Sequence, residues 1–245
     1  MAGMRTGLWR RFWGDSRGGG RNPWLRRVLA ILFVLALPAP VLLLLFFRFV
    51  PIPGTPEMLF SLIEGHGAHY AWRGDIAPVL GRAVIGAEDQ NFCTHNGFDW
   101  KGIDTAMKEH QRHPNKPLRG ASTISQQTAR TLFLVPMRSW VRKGLEAYLT
   151  VLVEALWPKK RILEAYLNLV DWGHGNFGAE AAAENYFGTD AASLSHEQAA
   201  RLAAILPDPS KWKAVHPGRY VARRTVTLAA RSSQVTRDRL DFCVQ

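Results

Sequence analysis

Cysteine is scarce in this chain. Its 245 residues contain two, Cys93 and Cys243, and 150 positions separate them. So few cysteines exclude a cysteine-rich metal cluster and the dense disulfide framework of small secreted domains. The pair is compatible with an oxidising compartment, but nothing in the sequence indicates that the two side chains meet. We therefore interpret both as free thiols.

The sequence also lacks the alternation of polar and apolar residues that a half-buried strand requires. No stretch of convincing length shows a period of two, which argues against an all-β fold. Apolar residues recur instead at intervals of three and four, the spacing of core-facing helices. The chain is long enough for one substantial domain, and we predict a mainly α-helical fold for it.

Acidic residues are too few to balance the basic ones. The 20 aspartates and glutamates face 31 lysines and arginines, which gives a formal net charge of +11. Much of this excess lies in residues 1–50, where Asp15 is the only acid. Basic chains can bind nucleic acid, but these arginines lie beside an apolar segment, where anionic lipid headgroups are the nearer partner. Because no nucleic-acid motif follows, we expect membrane lipids and no nucleic acid as partners.

Charged and strongly polar residues are absent from residues 28–47. Twenty residues at about 1.5 Å each can span a bilayer as a helix, and membrane helices tolerate the kinks expected at Pro38 and Pro40. Because arginines precede the segment and only Arg48 follows closely, we expect a cytoplasmic N-terminus and an external domain. A cleaved signal peptide is the alternative, but the apolar run is longer than a typical signal core, which favours a retained single-pass anchor.

The chain is thus predicted to contain five segments. They are a cytoplasmic basic segment at 1–27, a transmembrane anchor at 28–47, a linker and membrane-proximal segment at 48–69, a folded domain at 70–215 and a basic C-terminal tail at 216–245. The prolines near the start of the linker make it short and stiff, which would hold the domain close to the bilayer.

The strongest candidate for catalysis lies at the end of an amphipathic helix, predicted with Asp75 as its cap and Pro78 in its first turn. Its apolar stripe consists of Ile76, Val79, Leu80, Ala83, Val84 and Ala87. The stripe ends at Glu88 and Asp89, and the polar and aromatic residues after it are Phe92, His95, Gly97, Phe98, Asp99 and Trp100. A carboxylate at this junction is partly removed from water, which makes it a better proton acceptor. Glu88 is therefore a candidate general base, although glutamates at helix ends are more often solvated or ion-paired.

A second candidate element begins near Thr123. Thr123 and Gln126 form a capping-box pattern, which predicts a helix from Ile124. Free N–H groups in its first turn, together with the helix dipole, would suit an anionic oxygen. Gln127 and Arg130 share one face of this helix. The alternative is a capped helix with ordinary polar surface residues.

Residues 139–157 predict a third helix with an apolar face and a charged face. Arg142, Lys143 and Glu146 lie together on the charged face, at spacings of three and four. The simpler interpretation is a surface ion pair worth about 0.3–0.5 kcal/mol. The alternative hypothesis is a second carboxylate that cations hold in a polar cleft.

Five segments, in order, resemble the signature blocks of the peptidoglycan glycosyltransferases. They are Glu88–Phe92 with His95, Gly97, Phe98 and Asp99; Gly120–Gln127; Arg142–Glu146; Lys159–Asn168; and Ala182–Gly188. The resemblance covers roughly residues 70–215, and we expect a monofunctional member because too little chain follows for a transpeptidase domain. It implies a mainly helical, lysozyme-like glycosyltransferase domain behind one N-terminal transmembrane helix, with a small membrane-embedded jaw beside the cleft.

The resemblance also implies a reaction and a location. Enzymes of this family polymerise lipid II into linear glycan strands of the cell wall, which maintains cell shape. The expected location is the bacterial inner membrane, with the catalytic domain in the periplasm. The expected partners are lipid II, the growing glycan strand, membrane lipids and cell-division or elongation proteins.

Residue roles follow from the same resemblance. Glu88 matches the general base that deprotonates the acceptor 4-hydroxyl, which attacks C1 of the donor with inversion and expels undecaprenyl diphosphate. Glu146 matches the second catalytic glutamate, on the diphosphate side, where the resemblance allows a divalent metal, Mg or Mn; no other cofactor is expected. The family's substrate-contacting positions fall on Asp89, Phe92, His95, Thr123, Gln127, Arg130, Arg142 and Lys143.

Three residues depart from the family pattern. Arg130 stands where lysine is usual, Thr131 where asparagine is common, and Cys93 where a residue without a thiol is usual. Arg130 keeps the charge but changes its geometry, so the first two departures bear on the diphosphate contacts. The third places an oxidisable group near the expected base.

Two other functions compete with polymerisation. A lysozyme-like lytic transglycosylase or hydrolase of peptidoglycan would also use a glutamate at a helix end, whereas a non-catalytic membrane-anchored scaffold would need none. Arg130, Arg142 and Lys143 favour the polymerase. A diphosphate leaving group requires cations where its charge develops, and cleavage of a neutral glycosidic bond does not.

Overall fold

The computed structural model describes residues 24, 27–28, 38–114, 122–136 and 139–245. Within these ranges the chain is mainly helical, as predicted. The helices are α1 Pro38–Phe47, α2 Pro56–Ile63, α3 Pro78–Glu88, α4 Trp100–Arg112, α5 Ile124–Phe133, α6 Trp140–Leu156, α7 Lys159–Leu169, α8 Gly178–Phe187, α9 His196–Ile205 and α10 Arg219–Arg237. A 3₁₀ turn at Ala191–Ser193 and a parallel pair of short strands, β1 His69–Tyr70 and β2 Asn176–Phe177, accompany them.

The chain divides into two units, Met1–Pro40 and Val41–Gln245. The second unit contains the core and the candidate site. Of the predicted membrane anchor at 28–47, residues 29–37 lie outside the described residues. Among the helices that the structure describes, none is both long enough and apolar enough to cross a membrane.

Helix α3 is a deeply buried support of the candidate site. Leu80, Ala83, Val84 and Ile85 are fully buried, because α9 and α10 both pack along this helix. The alanines of α9 are small, so its backbone approaches closely. Burial of each large apolar side chain stabilises the fold by about 1.5–3 kcal/mol, which makes the C-terminal end of α3 a firm position.

The start of α3 differs from the prediction. The helix begins at Pro78, with Ala77 as its N-cap and no side-chain cap. Asp75 does not cap it, because its carboxylate pairs with Arg73 at 2.9 Å instead. The fixed φ of Pro78 suits the first helical position without a capping side chain.

Residues 216–245, predicted as a basic tail, contain the long helix α10. Its Val221, Leu228 and Val235 are buried at seven-residue intervals, the spacing of one helix face. This face packs against α3 and α9. Helix α10 is therefore part of the core that positions the end of α3.

Helices α5, α6 and α7 form the other support of the site. Helix α5 packs against both α6 and α7, and it starts at Ile124 as predicted. The predicted capping box is present: Thr123 Oγ1 accepts from the Gln126 N–H at 3.1 Å, and Gln126 Oε1 accepts from the Thr123 N–H at 3.0 Å. Ser139 caps α6 by accepting from the Arg142 N–H at 3.0 Å.

The interpretation of Cys93 and Cys243 as free thiols is wrong. The two residues form a disulfide, with their Cα atoms 5.5 Å apart. Helix α10 runs along α3, so the residues after it reach the loop that follows Glu88. The same segment is secured by an ion pair at 2.9 Å between Arg82 and the buried Asp241. The spacing of the two cysteines in the sequence did not indicate that the C-terminal residues pack beside the loop that follows Glu88.

Candidate active site

Glu88 is the last residue of α3, as predicted. Its side chain is half-buried, and Gln127 Nε2 donates a hydrogen bond to Glu88 Oε2 at 3.0 Å. The Tyr166 hydroxyl donates to Gln127 Oε1 at 3.2 Å, which fixes the orientation of the amide. Glu88 Oε1 has no hydrogen-bond partner among the described residues. One oxygen of the carboxylate is thus held while the other can accept a proton.

Tyr166 remains protonated in this environment. Burial raises the pKa of its hydroxyl well above the usual value of 10.0, and the negative charges of Glu88 and Asp89 raise it further, against the opposing effect of Arg130. A protonated hydroxyl can only donate to the Gln127 oxygen, because an amide oxygen has no proton to give. The sequence contained no signal for this role beyond the place of Tyr166 in the fourth family block.

Asp89 joins the end of α3 to the start of α5. Its buried carboxylate accepts from the Ile124 N–H at 3.0 Å and from His95 Nε2 at 3.0 Å. Because the Gly97 N–H donates to His95 Nδ1 at 3.1 Å, we assign the proton of the neutral ring to Nε2. The Ile124 N–H, expected to meet an anionic substrate oxygen, is therefore bound by Asp89.

Phe92 lies over a buried ion pair that sequence reasoning missed. Lys159 Nζ stands 4.6 Å from the centroid of the Phe92 ring and donates to Glu154 Oε1 at 2.6 Å. The Ser125 hydroxyl donates to the same carboxylate oxygen. Phe92 itself is fully buried. Glu154 connects α6 to the start of α5, yet nothing in its local sequence distinguishes it from a surface glutamate.

Four residues that were predicted to contact substrate thus make contacts with other protein groups in this structure. Asp89, Phe92 and Thr123 are buried, and the side chain of His95 is 8% exposed. The Thr123 hydroxyl donates to the Gly97 carbonyl at 2.7 Å, which holds the loop against α5. Their contacts hold the loop after Glu88 in place and so shape the protein surface next to this carboxylate.

Glu146 is a buried carboxylate and not part of a surface ion pair. Its side chain is 3% exposed, and Arg142 Nη1 donates to Glu146 Oε2 at 3.0 Å. Lys143 Nζ contacts the other oxygen. Arg142 Nε is buried and has no hydrogen-bond partner among the described residues. The two cations exceed the charge of the single carboxylate, so this group keeps a net positive charge for an anionic ligand.

The residues around Glu146 do not fit a protein-built metal site. Both carboxylate oxygens contact cations, which repel a divalent metal. Within the described ranges, no group of three histidine, cysteine, aspartate or glutamate side chains is arranged to hold one. Divalent Mg and Mn prefer several oxygen ligands, so we derive no step through a metal ion.

Arg130 on α5 also offers positive charge. Its side chain is half-buried and has no hydrogen-bond or ion-pair partner among the described residues. Burial raises the pKa of Glu57 on α2, and the charge of Arg130 opposes this shift, which places the two groups near each other. Thr131, the neighbouring departure from the family pattern, is buried within α5.

A cavity of about 250 Å³ opens beside Glu88. Its walls come from the end of α3, the loop after it, α4, residues 122–123 and Arg231 of α10. Asp99 accepts from the Gly102 N–H and from Asn91 Nδ2, both at 2.9 Å. Burial raises the pKa of Asp99, but these hydrogen bonds and the nearby His95 outweigh it, and the net shift is downward. Sequence reasoning missed Arg231, which belongs to none of the five blocks.

Comparison with known proteins shows which family the sequence resembles. Residues 60–232 match the sequence model of a family described as Transglycosylase. The biosynthetic peptidoglycan transglycosylase of Caulobacter vibrioides is 49% identical over 222 residues, which cover 90% of this chain and 96% of that protein. Proteins of the same name from Rhodospirillum centenum and Ectopseudomonas mendocina are 47% and 48% identical, over 90% and 86% of this chain and 95% and 89% of their own lengths.

Proposed function

Because the chain belongs to the transglycosylase family and is a peptidoglycan glycosyltransferase, we propose that it polymerises lipid II into linear glycan strands. The observation that carries the proposal is the Glu88 carboxylate, fixed by Gln127 at one oxygen and open at the other beside a cavity. A base held in this way can take a proton from a hydroxyl that enters the cavity.

The proposed reaction is an inverting displacement. Glu88 removes the proton of the acceptor 4-hydroxyl, and the resulting oxygen attacks C1 of the donor sugar on the face opposite the diphosphate. The bond between C1 and the diphosphate oxygen breaks, and its electron pair leaves with undecaprenyl diphosphate. The new glycosidic bond therefore has the opposite anomeric configuration.

Positive charge supports the departure of the diphosphate. Arg142 and Lys143 are held by Glu146, and Arg130 adds a third cation that makes no direct ion pair with the described residues. Cations fixed in advance stabilise the charge that develops on a leaving group without reorganisation during the reaction. Glu146 acts in this proposal as a positioning residue for the two cations.

We also propose that the chain is a single-pass protein of the bacterial inner membrane with its catalytic domain in the periplasm. Three elements expose large apolar side chains: Leu42, Phe46 and Phe49 in and after α1, Leu59, Leu62 and Ile63 on α2, and Trp140, Val141 and Leu145 on α6. Such exposure suits contact with a bilayer. The disulfide supports an exported domain, because disulfides persist in oxidising compartments.

The membrane-proximal residues are tied firmly to the domain. Arg161 donates to the carbonyl oxygens of Phe47 and Val50, each at 2.6 Å, and Trp157 Nε1 donates to the Leu44 carbonyl at 2.7 Å. An anchor that ends here would hold the cleft at a defined height above the membrane. This geometry suits a substrate whose lipid stays in the bilayer.

Polymerisation of labelled lipid II in detergent tests the proposal. The purified chain should make long glycan, and Glu88→Gln should reduce the rate by about 10²–10⁴-fold, the usual contribution of a general base. Glu197→Gln, at an exposed glutamate on α9 that lies outside the five signature blocks, is the matched control and should retain full activity. Circular dichroism should show that all three proteins are folded.

Other outcomes would assign other functions. If the wild type leaves lipid II unchanged but degrades finished peptidoglycan, the chain is a hydrolase or lytic enzyme. If neither substrate reacts, the scaffold hypothesis replaces the enzyme. Equal polymerisation by the wild type and Glu88→Gln would show that another residue is the base.

A further inference from the structure

Arg231 stands beside the catalytic carboxylate although it lies 143 residues later in the chain. Helix α10 packs so closely on α3 that a Cβ atom at Gly86 would lie 3.3 Å from Arg231 Cβ. Gly86 precedes Glu88 by two residues. The close approach of the two backbones therefore brings an arginine from α10 into the wall of the cavity that Glu88 lines.

The hydrogen bonds around the cavity leave Arg231 available. Two of the acidic side chains in its wall, Asp89 and Asp99, already accept hydrogen bonds from protein donors. The guanidinium of Arg231 has no hydrogen-bond or ion-pair partner among the residues that the structure describes. A half-buried guanidinium with five unused donors is suited to a ligand with several oxygens.

The charge of the cavity wall indicates whether the ligand oxygens are charged or neutral. The wall contains four acids, Glu88, Asp89, Asp99 and Glu109, against two cations, Lys101 and Arg231. This negative balance disfavours a phosphate or carboxylate. It contrasts with the positive balance around Glu146. Unlike the group around Glu146, the cavity that Glu88 lines therefore fits a neutral ligand rich in hydroxyl and carbonyl oxygens.

We propose that Arg231 binds the acceptor saccharide, donating hydrogen bonds to its neutral hydroxyl or acetamido oxygens and orienting the 4-hydroxyl toward Glu88. This assignment rests on the proposed polymerase function. It places the acceptor sugar on the side of α4 and α10, and the donor diphosphate on the side of α5 and α6. Arg231 is in this view a substrate-binding residue, and proton transfer belongs to Glu88.

The test separates acceptor from donor. A lipid-diphosphate glycan whose terminal 4-hydroxyl is chemically blocked can only donate, and a disaccharide-peptide with a free 4-hydroxyl but no diphosphate can only accept, so the concentration of each is varied separately. Arg231→Gln should raise the acceptor KM about 10–100-fold, the effect of losing hydrogen bonds from a charged donor, with the donor KM unchanged. Arg231→Lys should recover part of the affinity. Arg223→Gln, at an exposed arginine of the same helix, should behave as the wild type.

Each other result overturns the assignment. An unchanged acceptor KM in Arg231→Gln, or an equal rise in the donor KM, shows that Arg231 does not select the acceptor. An acceptor without its peptide should show the same loss in Arg231→Gln; if the loss disappears, the arginine binds a peptide carboxylate and not the sugar. Failure of the wild-type protein to make any polymer contradicts the proposed function itself, and thermal unfolding of Arg231→Gln identifies a folding defect.

Discussion

Gln127 donates its side-chain amide to Glu88 at 3.0 Å, and this hydrogen bond connects α5 to the end of α3. The amide can turn over, and then its oxygen would face the carboxylate. The Tyr166 hydroxyl prevents this by donating to Gln127 Oε1. The two hydrogen bonds together select one orientation of Glu88.

Replacement of Tyr166 by phenylalanine should lower kcat for lipid II polymerisation by about 2–10-fold, the effect of one hydrogen bond of ordinary strength. Tyr186→Phe is a matched control, because the Tyr186 hydroxyl donates to the carbonyl oxygens of Trp172 and Gly173 instead. It should reduce stability and leave kcat unchanged. Equal kcat in Tyr166→Phe and the wild type would contradict the orienting role.

Asp89→Asn should destabilise the fold by about 2–3 kcal/mol. The buried carboxylate accepts from the Ile124 N–H and from His95 Nε2, and hydrogen bonds to a charged group are worth about 1.5–3 kcal/mol each. An asparagine presents its amide protons to one of these donors. Urea unfolding measures the change. Asp104→Asn, at an exposed carboxylate paired with Lys108, should change the free energy of unfolding by less than about 1 kcal/mol.

Loss of the disulfide should lower stability strongly. Cys93 and Cys243 close a loop of 150 residues, for which chain entropy predicts about 5 kcal/mol. The double variant Cys93→Ser/Cys243→Ser should unfold at a lower temperature than the oxidised wild type. Dithiothreitol should lower the Tm of the wild type and leave the double variant unchanged. If dithiothreitol has no effect on the wild type, the disulfide does not hold the fold.

Asp171 should make stability depend on pH. Burial raises the pKa of its carboxyl above the ordinary 3.8 despite a hydrogen bond from the Gly173 N–H. A raised folded-state pKa contributes stability that is complete below the unfolded value and is lost as pH rises through the folded value. Asp171→Asn removes this loss, and its amide oxygen can still accept from Gly173.

The Asp171→Asn variant should therefore match the wild-type Tm at pH 3 or below and exceed it at pH 7, by about 2–4 °C for each kcal/mol. Thermal unfolding at the two pH values measures the difference. Asp104→Asn, at an exposed position, should show no such pH-dependent gain. A lower Tm for Asp171→Asn at pH 7 would show that the ionised carboxylate stabilises the fold.

Local features of the site could be predicted from the sequence. Thr123 and Gln126 are three residues apart, so the capping box and the start of α5 follow from helix geometry. The contacts of Arg142 and Lys143 with Glu146 follow from the same spacing rule. The burial of Glu146 could not be predicted, since it depends on the packing of α5 against α6.

Features that join distant elements had no signature in the sequence. The hydrogen bond from Gln127 to Glu88 and the packing of Arg231 against Gly86 depend on which helices meet. Periodicity shows that a helix has a buried face without naming the helix that covers it. The free-thiol interpretation failed for this reason, because the return of α10 along α3 brings Cys243 to Cys93.

The disulfide also imposes an order of events on biosynthesis. Cys93 emerges from the ribosome long before Cys243, because synthesis runs from the N-terminus. The loop that follows Glu88 can be cross-linked only after α10 and Cys243 have been made. A nascent or shortened chain that ends before Cys243 would contain all five signature blocks, but the loop after Glu88 would lack its disulfide. The disulfide that fixes the loop beside the candidate active site can therefore form only after the last helix has been synthesised.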